Sequence, residues 1–233
     1  MLPAQPNQSL MDGLAVLQTV VGHPDGIGTR QMARDLGLEP TRINRLLKTL
    51  AHLGLAQQTA RRKYRPGPAI HVLAAQALFG SGLLQRAVPH LEKLHRLDLI
   101  VALGVLWRDQ VCYLYHAAPG MKPSQALGRV GLFPATRSGI GMALLAEQKD
   151  LHRFPVAVRS ELRQTRARGY ALVEPQPGRR ERSLGVVIPG GTQAAIALSG
   201  VIADQRVEPL VAELRQAAAG IGAEESSPYP RSR

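Results

Sequence analysis

Cysteine is all but missing from this chain. Cys112 stands alone among 233 residues, so an internal disulfide is excluded and so is a cysteine-rich zinc site. A reducing, cytoplasmic setting fits that usage. Long apolar runs are missing too: none reaches the roughly 18–20 residues that a membrane-spanning helix needs. The opening Met1-Leu2-Pro3-Ala4-Gln5-Pro6-Asn7-Gln8 has neither the charged nor the apolar segment of a secretory signal. Acidic side chains are scarce: 17 Asp and Glu face 29 Lys and Arg, a formal net charge of +12 and a pI near 10.8. That balance favours a polyanionic partner, nucleic acid first, over a basic coat that serves only solubility.

The marks of catalysis are equally thin. Ser138 lacks the glycine two residues earlier that a nucleophile elbow requires. Gly185 and Gly190-Gly191 lack the Lys-Ser/Thr of a phosphate-binding loop. His90 and His95 are five apart, on different faces of a helix, and with His116 they make no metal-ligand set. No enzyme activity, cofactor or metal is expected.

What is present is apolar residues enough for a core, 45% of the chain, and one stretch that organises the rest. From Glu39 to Gly54, Ile43, Leu46, Leu47, Leu50 and Leu53 recur at steps of three and four and predict one apolar helical face. Thr41, Asn44, Arg45, Lys48 and His52 fall on the other side, with Arg42 on the flank. Pro40 suits the first turn and Gly54 the position past the last. A solvated surface face is the plain alternative. Arginine and lysine, however, answer phosphates and guanine edges, and asparagine pairs with adenine.

The neighbours favour that second reading. Ser9 is placed to cap a first helix carrying Leu10, Leu14, Leu17 and Val21. Thr29 is placed to cap a short second helix with Met32, Ala33 and Leu36 inward, ended by Gly37. Two helices joined by a short Gly-containing turn make a helix-turn-helix. Downstream, the residues from Leu55 to Pro66 predict a hairpin with the basic tip Arg61-Arg62-Lys63, the wing of a winged helix. Over residues 1–70, nine Lys and Arg stand against four Asp and Glu. Most of that charge lies on the third helix and the wing, where a winged helix touches DNA.

Residues 9–78 resemble the amino-terminal domain of the IclR family of bacterial transcriptional regulators. The likeness rests on Leu14 and Leu17, Met32-Ala33 with Leu36-Gly37-Leu38, the run from Thr41 to Leu50, Gly54-Leu55 and Tyr64-Arg65-Pro66-Gly67. Thr41-Arg42 stands where the family usually has a Ser-Thr pair. The resemblance continues to about residue 222. It runs through Gly128-Arg129, Phe133-Pro134-Ala135-Thr136-Arg137-Ser138-Gly139, Arg168-Gly169-Tyr170-Ala171 and Ile188-Pro189. It implies an α+β protein, divided into a flexible arm (1–8), a winged helix-turn-helix domain (9–67), a linker helix (68–80), a GAF/PAS-like effector-binding domain (81–222) and a disordered tail (223–233).

The function implied is a dimeric, sequence-specific DNA-binding regulator, with repression the favoured output, controlled by a small-molecule effector. A ligand-binding or enzymatic protein without specific DNA binding is the alternative. Double-stranded operator DNA would meet Thr29, Arg30, Thr41, Arg42, Asn44, Arg45, Lys48, Arg61, Arg62 and Lys63. The effector, a carboxylate metabolite among the candidates, would meet Gly128, Ser138, Gly139 and Ser183. For Ser138 a plain helix cap is the competing role. Arg137, Ile140, Ser183 and a short stretch between 147 and 160 depart from the family pattern, which leaves open a different ligand or none. A homodimer or a dimer of dimers is implied, and no membrane.

Overall fold

The computed structural model describes residues 5–127, 131–174, 180–191 and 193–223. The chain divides into two compact units, Met1–Ser81 and Gly82–Arg233. The residues of the expected arm and tail at 1–4 and 224–233 lie outside the described ones, while Gln8 and Ala223 are both helical.

In the first unit, α1 (Gln8–Val21) begins earlier than Ser9 suggests. Asn7, not Ser9, is the cap: its Oδ1 accepts the Leu10 N–H at 3.0 Å. The inward stripe also differs from expectation. Val16 and Val20 are buried with Asp12, and Leu17 is half-buried, whereas Leu10, Leu14 and Val21 stay exposed. At about 100° per residue the leucine repeat centres roughly 130° round the helix from Asp12, Val16 and Val20, and only Leu17, at its edge, packs on the core. The helix α2 (Thr29–Leu36) is capped by Gly28 without a side-chain bond, so Thr29 sits inside the first turn. The cause is a contact that local sequence does not reveal. Ile27 and Tyr64 exchange backbone hydrogen bonds, both at 2.9 Å, which keeps the chain extended up to Gly28. Gly37 ends α2 in the left-handed region (φ 64°), and the Leu38 N–H reaches back to the Ala33 carbonyl at 3.1 Å.

The helix α3 (Pro40–His52) starts at its proline as expected. Ile43, Leu47 and Leu50 are buried and Leu46 is half-buried, but Leu53, expected inside, is exposed because it follows the last helical turn. The wing consists of β1 (Ala56–Gln58) and β2 (Tyr64–Pro66), antiparallel, with Gln57 opposite Arg65. Ala56 and Tyr64 anchor it to a core made of Val16, Val20, Ile27, Met32, Ala33 and the α3 residues. Gly67 is required where the chain leaves the wing: a Cβ there would collide with the Gly54 carbonyl. The helix α4 (Ala69–Ser81) then buries none of its residues.

The second unit is a six-stranded antiparallel sheet in the order β5-β4-β3-β8-β7-β6. Its elements are α5 (Leu83–Leu94), β3 (Ile100–Trp107), β4 (Gln110–Ala117), the single turn α6 (Pro123–Ala126), β5 (Phe133–Pro134), α7 (Gly139–Ala146), α8 (Val156–Arg168), β6 (Ala171–Val173), β7 (Glu181–Val187), β8 (Ala194–Val201) and α9 (Asp204–Ala223). Side chains alternate across the sheet. On β8, Ala194, Ile196 and Leu198 join Leu91, Leu94, Leu210 and Leu214 of α5 and α9 in one core. Ala195 and Ala197 meet α7 on the other side, with Leu162 of α8 in the same cluster. Three layers result, helices on both faces of one sheet, in the GAF/PAS-like manner that the resemblance implies. All eight residues of α7 are buried, as an all-round apolar helix demands.

Candidate nucleic-acid interface

The outer face of α3 is built by exclusion. With Ile43, Leu47 and Leu50 turned inward, helical periodicity leaves Thr41, Asn44, Arg45 and Lys48 outward, and all four are exposed. Among the described residues, no hydrogen bond or ion pair engages the side chain of Arg45 or Lys48; the Thr49 hydroxyl donates to the Arg45 carbonyl at 3.1 Å. Ser9, Thr41, Arg42, Arg45, Leu46 and Thr49 line a concavity of about 510 Å³ between the start of α1 and this face.

At the wing tip, the Thr59 N–H donates to the Lys63 carbonyl at 2.7 Å and the Arg62 N–H to the Thr59 carbonyl at 2.9 Å. Arg62 takes the left-handed conformation (φ 57°), and Thr59 Oγ1 accepts the Lys63 N–H at 3.2 Å. The turn is thus held by backbone and one hydroxyl, and Arg61, Arg62 and Lys63 project exposed. Arg65, by contrast, donates to Gln57 Oε1 across the strands at 3.2 Å. On α2, Arg30 is exposed and Thr29 half-buried.

Arg42, expected at the DNA contact, meets a carboxylate of its own chain. Its Nη2 lies 2.7 Å from Asp12 Oδ2, an ion pair whose alignment falls short of a hydrogen bond. Gln8 Nε2 donates to the other carboxylate oxygen at 2.7 Å. Asp12 is only 6% exposed, and a buried carboxylate needs a countercharge. The lone acid in the first helix was the available signal: its position one turn before Val16 puts it on the buried face.

The residues expected to hold an effector meet a different environment. Ser138 Oγ accepts the Gly141 N–H at 3.3 Å, so Ser138 caps α7, and it lies 3.1 Å from the Tyr113 hydroxyl. The Gly139 N–H, a candidate donor to a carboxylate, already donates to Ser183 Oγ at 3.2 Å. Ser199 Oγ in turn donates to Ser183 Oγ at 2.9 Å. Ser138 and Ser183 are both buried. A Cβ at Gly185 would collide with the Gly139 carbonyl, and one at Gly141 with the Ala135 carbonyl. Ser138, Gly139 and Ser183 therefore do come together, as a tight junction of α7 with β7. Gly128 lies outside the described residues. Tyr113 and Ser199 complete the junction; strand alternation placed them on the sheet, but nothing local named their partners. Burial pushes the Cys112 thiol above its ordinary range, which lowers its thiolate fraction and its reactivity.

A helix-turn-helix with a basic outer helix and a basic hairpin tip defines a winged-helix DNA-binding protein. Residues 9–60 match the IclR helix-turn-helix domain. The HTH-type transcriptional regulator BhcR of Paracoccus denitrificans is 32% identical over 203 residues, covering 75% of this chain and 71% of that protein. The chain belongs to the IclR family and is a DNA-binding transcriptional regulator. An IclR family regulator from Brucella abortus has the same fold, with a TM-score of 0.75 over 94% of this chain and 93% of its own, at 21% identity. So has an IclR homolog complexed with 4-hydroxybenzoate from Microbacterium hydrocarbonoxydans, with a TM-score of 0.65 over 95% and 100% at 24% identity. Among the described residues, no helix is long and apolar enough to cross a membrane.

Proposed function

We propose that this regulator acts as a cytoplasmic, dimeric, non-enzymatic repressor. It seats α3 in the major groove of its operator and braces the wing on the flanking backbone. Asn44 and Arg45 read base edges, Thr41 and Lys48 contact the groove walls, and Arg61, Arg62 and Lys63 neutralise phosphates; Thr29 and Arg30 approach the backbone from α2. The observation that carries this reading is the exposure, without a side-chain partner in the described residues, of Arg45, Lys48 and the wing-tip cations. Footprinting on the region upstream of its own and neighbouring genes tests it. One protected site with half-sites about one helical turn or a multiple of it apart is expected. Uniform protection of any duplex would refute it.

Dimerisation is supported by α4, which buries no residue while Val72, Leu73 and Phe79 are 55%, 53% and 67% exposed. Contiguous exposed apolar side chains of this kind mark an interface. The Leu10, Leu14 and Val21 side of α1 is apolar and exposed as well. Sedimentation of the full chain would give twice the monomer mass; a monomer would contradict the assignment.

Effector control is supported by the 4-hydroxybenzoate complex of the Microbacterium homolog. In this chain a ligand at Ser138, Gly139 and Ser183 has to displace the Ser183–Gly139 hydrogen bond and separate α7 from β7. Binding then favours one arrangement of the sheet unit over another, which is the requirement for gating. Calorimetry with 4-hydroxybenzoate and related carboxylates tests this. Heat that is lost in Ser183→Ala is the expected result; heat unchanged by that substitution places the ligand elsewhere.

A further inference from the structure

We infer that Asp12 is a specificity-determining positioning residue: it withholds the charge of Arg42 from the DNA backbone and fixes the first turn of the recognition helix to α1. The inference rests on the proposed seating of α3 in the groove. Asp12 lies on the buried face of α1, with one carboxylate oxygen held by Gln8 Nε2 at 2.7 Å and the other 2.7 Å from Arg42 Nη2. Arg42 keeps 42% of its side chain exposed, so it stands at the rim of the concavity that Thr41 and Arg45 also line. From that rim a released guanidinium reaches outward to a phosphate. Phosphate contacts are blind to sequence; they raise affinity for every duplex alike. A carboxylate that occupies this guanidinium therefore removes one such contact and leaves discrimination to Asn44 and Arg45. It also joins α1 to the residue next to Thr41, so the angle at which α3 enters the groove is set from behind.

Salt titration separates this from a purely structural role, because the slope of log K against log salt counts neutralised phosphates at about 0.9 each. The full-length wild type, Asp12→Asn, Arg42→Gln and the double variant are titrated on operator and on random duplex. Circular dichroism melts of each confirm folding. In Asp12→Asn the amide still accepts from Gln8, but Arg42 is no longer neutralised. The slope steepens by about 0.9 on both duplexes and both affinities rise alike, while the angle of α3, no longer set by Asp12, weakens the base contacts on operator alone, so the operator-to-random ratio falls. The double variant returns to the wild-type slope. An unchanged slope in Asp12→Asn, or a steep slope that persists in the double variant, overturns the inference. So does a slope that drops by about 0.9 in Arg42→Gln alone, since Arg42 would then already contact a phosphate. A wild-type slope near zero would instead remove the groove reading itself, and the inference with it.

Discussion

At the outer face of α3, Arg45 and Lys48 stand exposed without side-chain partners among the described residues, whereas at the start of α7 Ser138 and Ser183 are buried and bonded to their neighbours. Both places carry residue types suited to binding something. They differ in how their polar groups are satisfied. A surface cation left to water loses only water when a phosphate arrives, and the counterions released from the DNA favour the contact. A buried N–H must be satisfied inside the protein, and Ser183 does that for Gly139. The first arrangement is ready for a ligand as it stands; the second admits one only by breaking a hydrogen bond at a packed junction.

That contrast can be broken at the junction itself. Gly185→Ala places a methyl group against the Gly139 carbonyl and is expected to destabilise the sheet unit by about 3 kcal/mol, read from urea unfolding. A loss under about 0.5 kcal/mol, the range of a surface site, would mean that α7 is not tightly seated. Leu47→Ala, at 0% exposure behind α3, is expected to cost about 2–5 kcal/mol and to take operator binding with it. Preserved binding would show that the groove-facing side chains do not depend on that core. Arg45→Ala is expected to leave stability within about 0.5 kcal/mol while operator affinity drops by about 1–3 kcal/mol.

Ser183→Ala sharpens the comparison from the other side. It leaves the Gly139 N–H without its acceptor, and is expected to lower stability by about 1–3 kcal/mol with operator affinity of the folded protein unchanged. Smallest of all, Lys63→Ala is expected to weaken operator and random duplex equally and to reduce the salt slope by about 0.9. A sequence-selective loss would move the wing tip from backbone to bases.

The sequence made the first unit legible because its signals are local. Periodicity from Ile43 to Leu50, Pro40 at the start and Gly54 past the end locate α3 to within a residue, and the basic tip locates the wing. It failed where a tertiary contact overrode a local preference. Ile27 pairing with Tyr64 moved the cap from Thr29 to Gly28. The buried face of α1 follows Asp12, Val16 and Val20 rather than the leucine repeat, and Asp12 pairs with Arg42 of α3. In the second unit, α9 begins at Asp204 and carries Pro209 inside it, an interior proline that local preference argues against. Ser138 as a cap was legible from its place before an apolar helix. Its neighbour across the sheet was not, because Ser183 lies 44 residues from Gly139 in sequence, a separation that no local pattern spans.

The most direct test is anisotropy titration of the wild type and Arg45→Ala on operator and on random duplex at one fixed salt concentration. An exposed, base-reading α3 predicts a loss of roughly 5- to 150-fold on operator and a much smaller one on random sequence. Equal losses on both duplexes, or none on either, would contradict it.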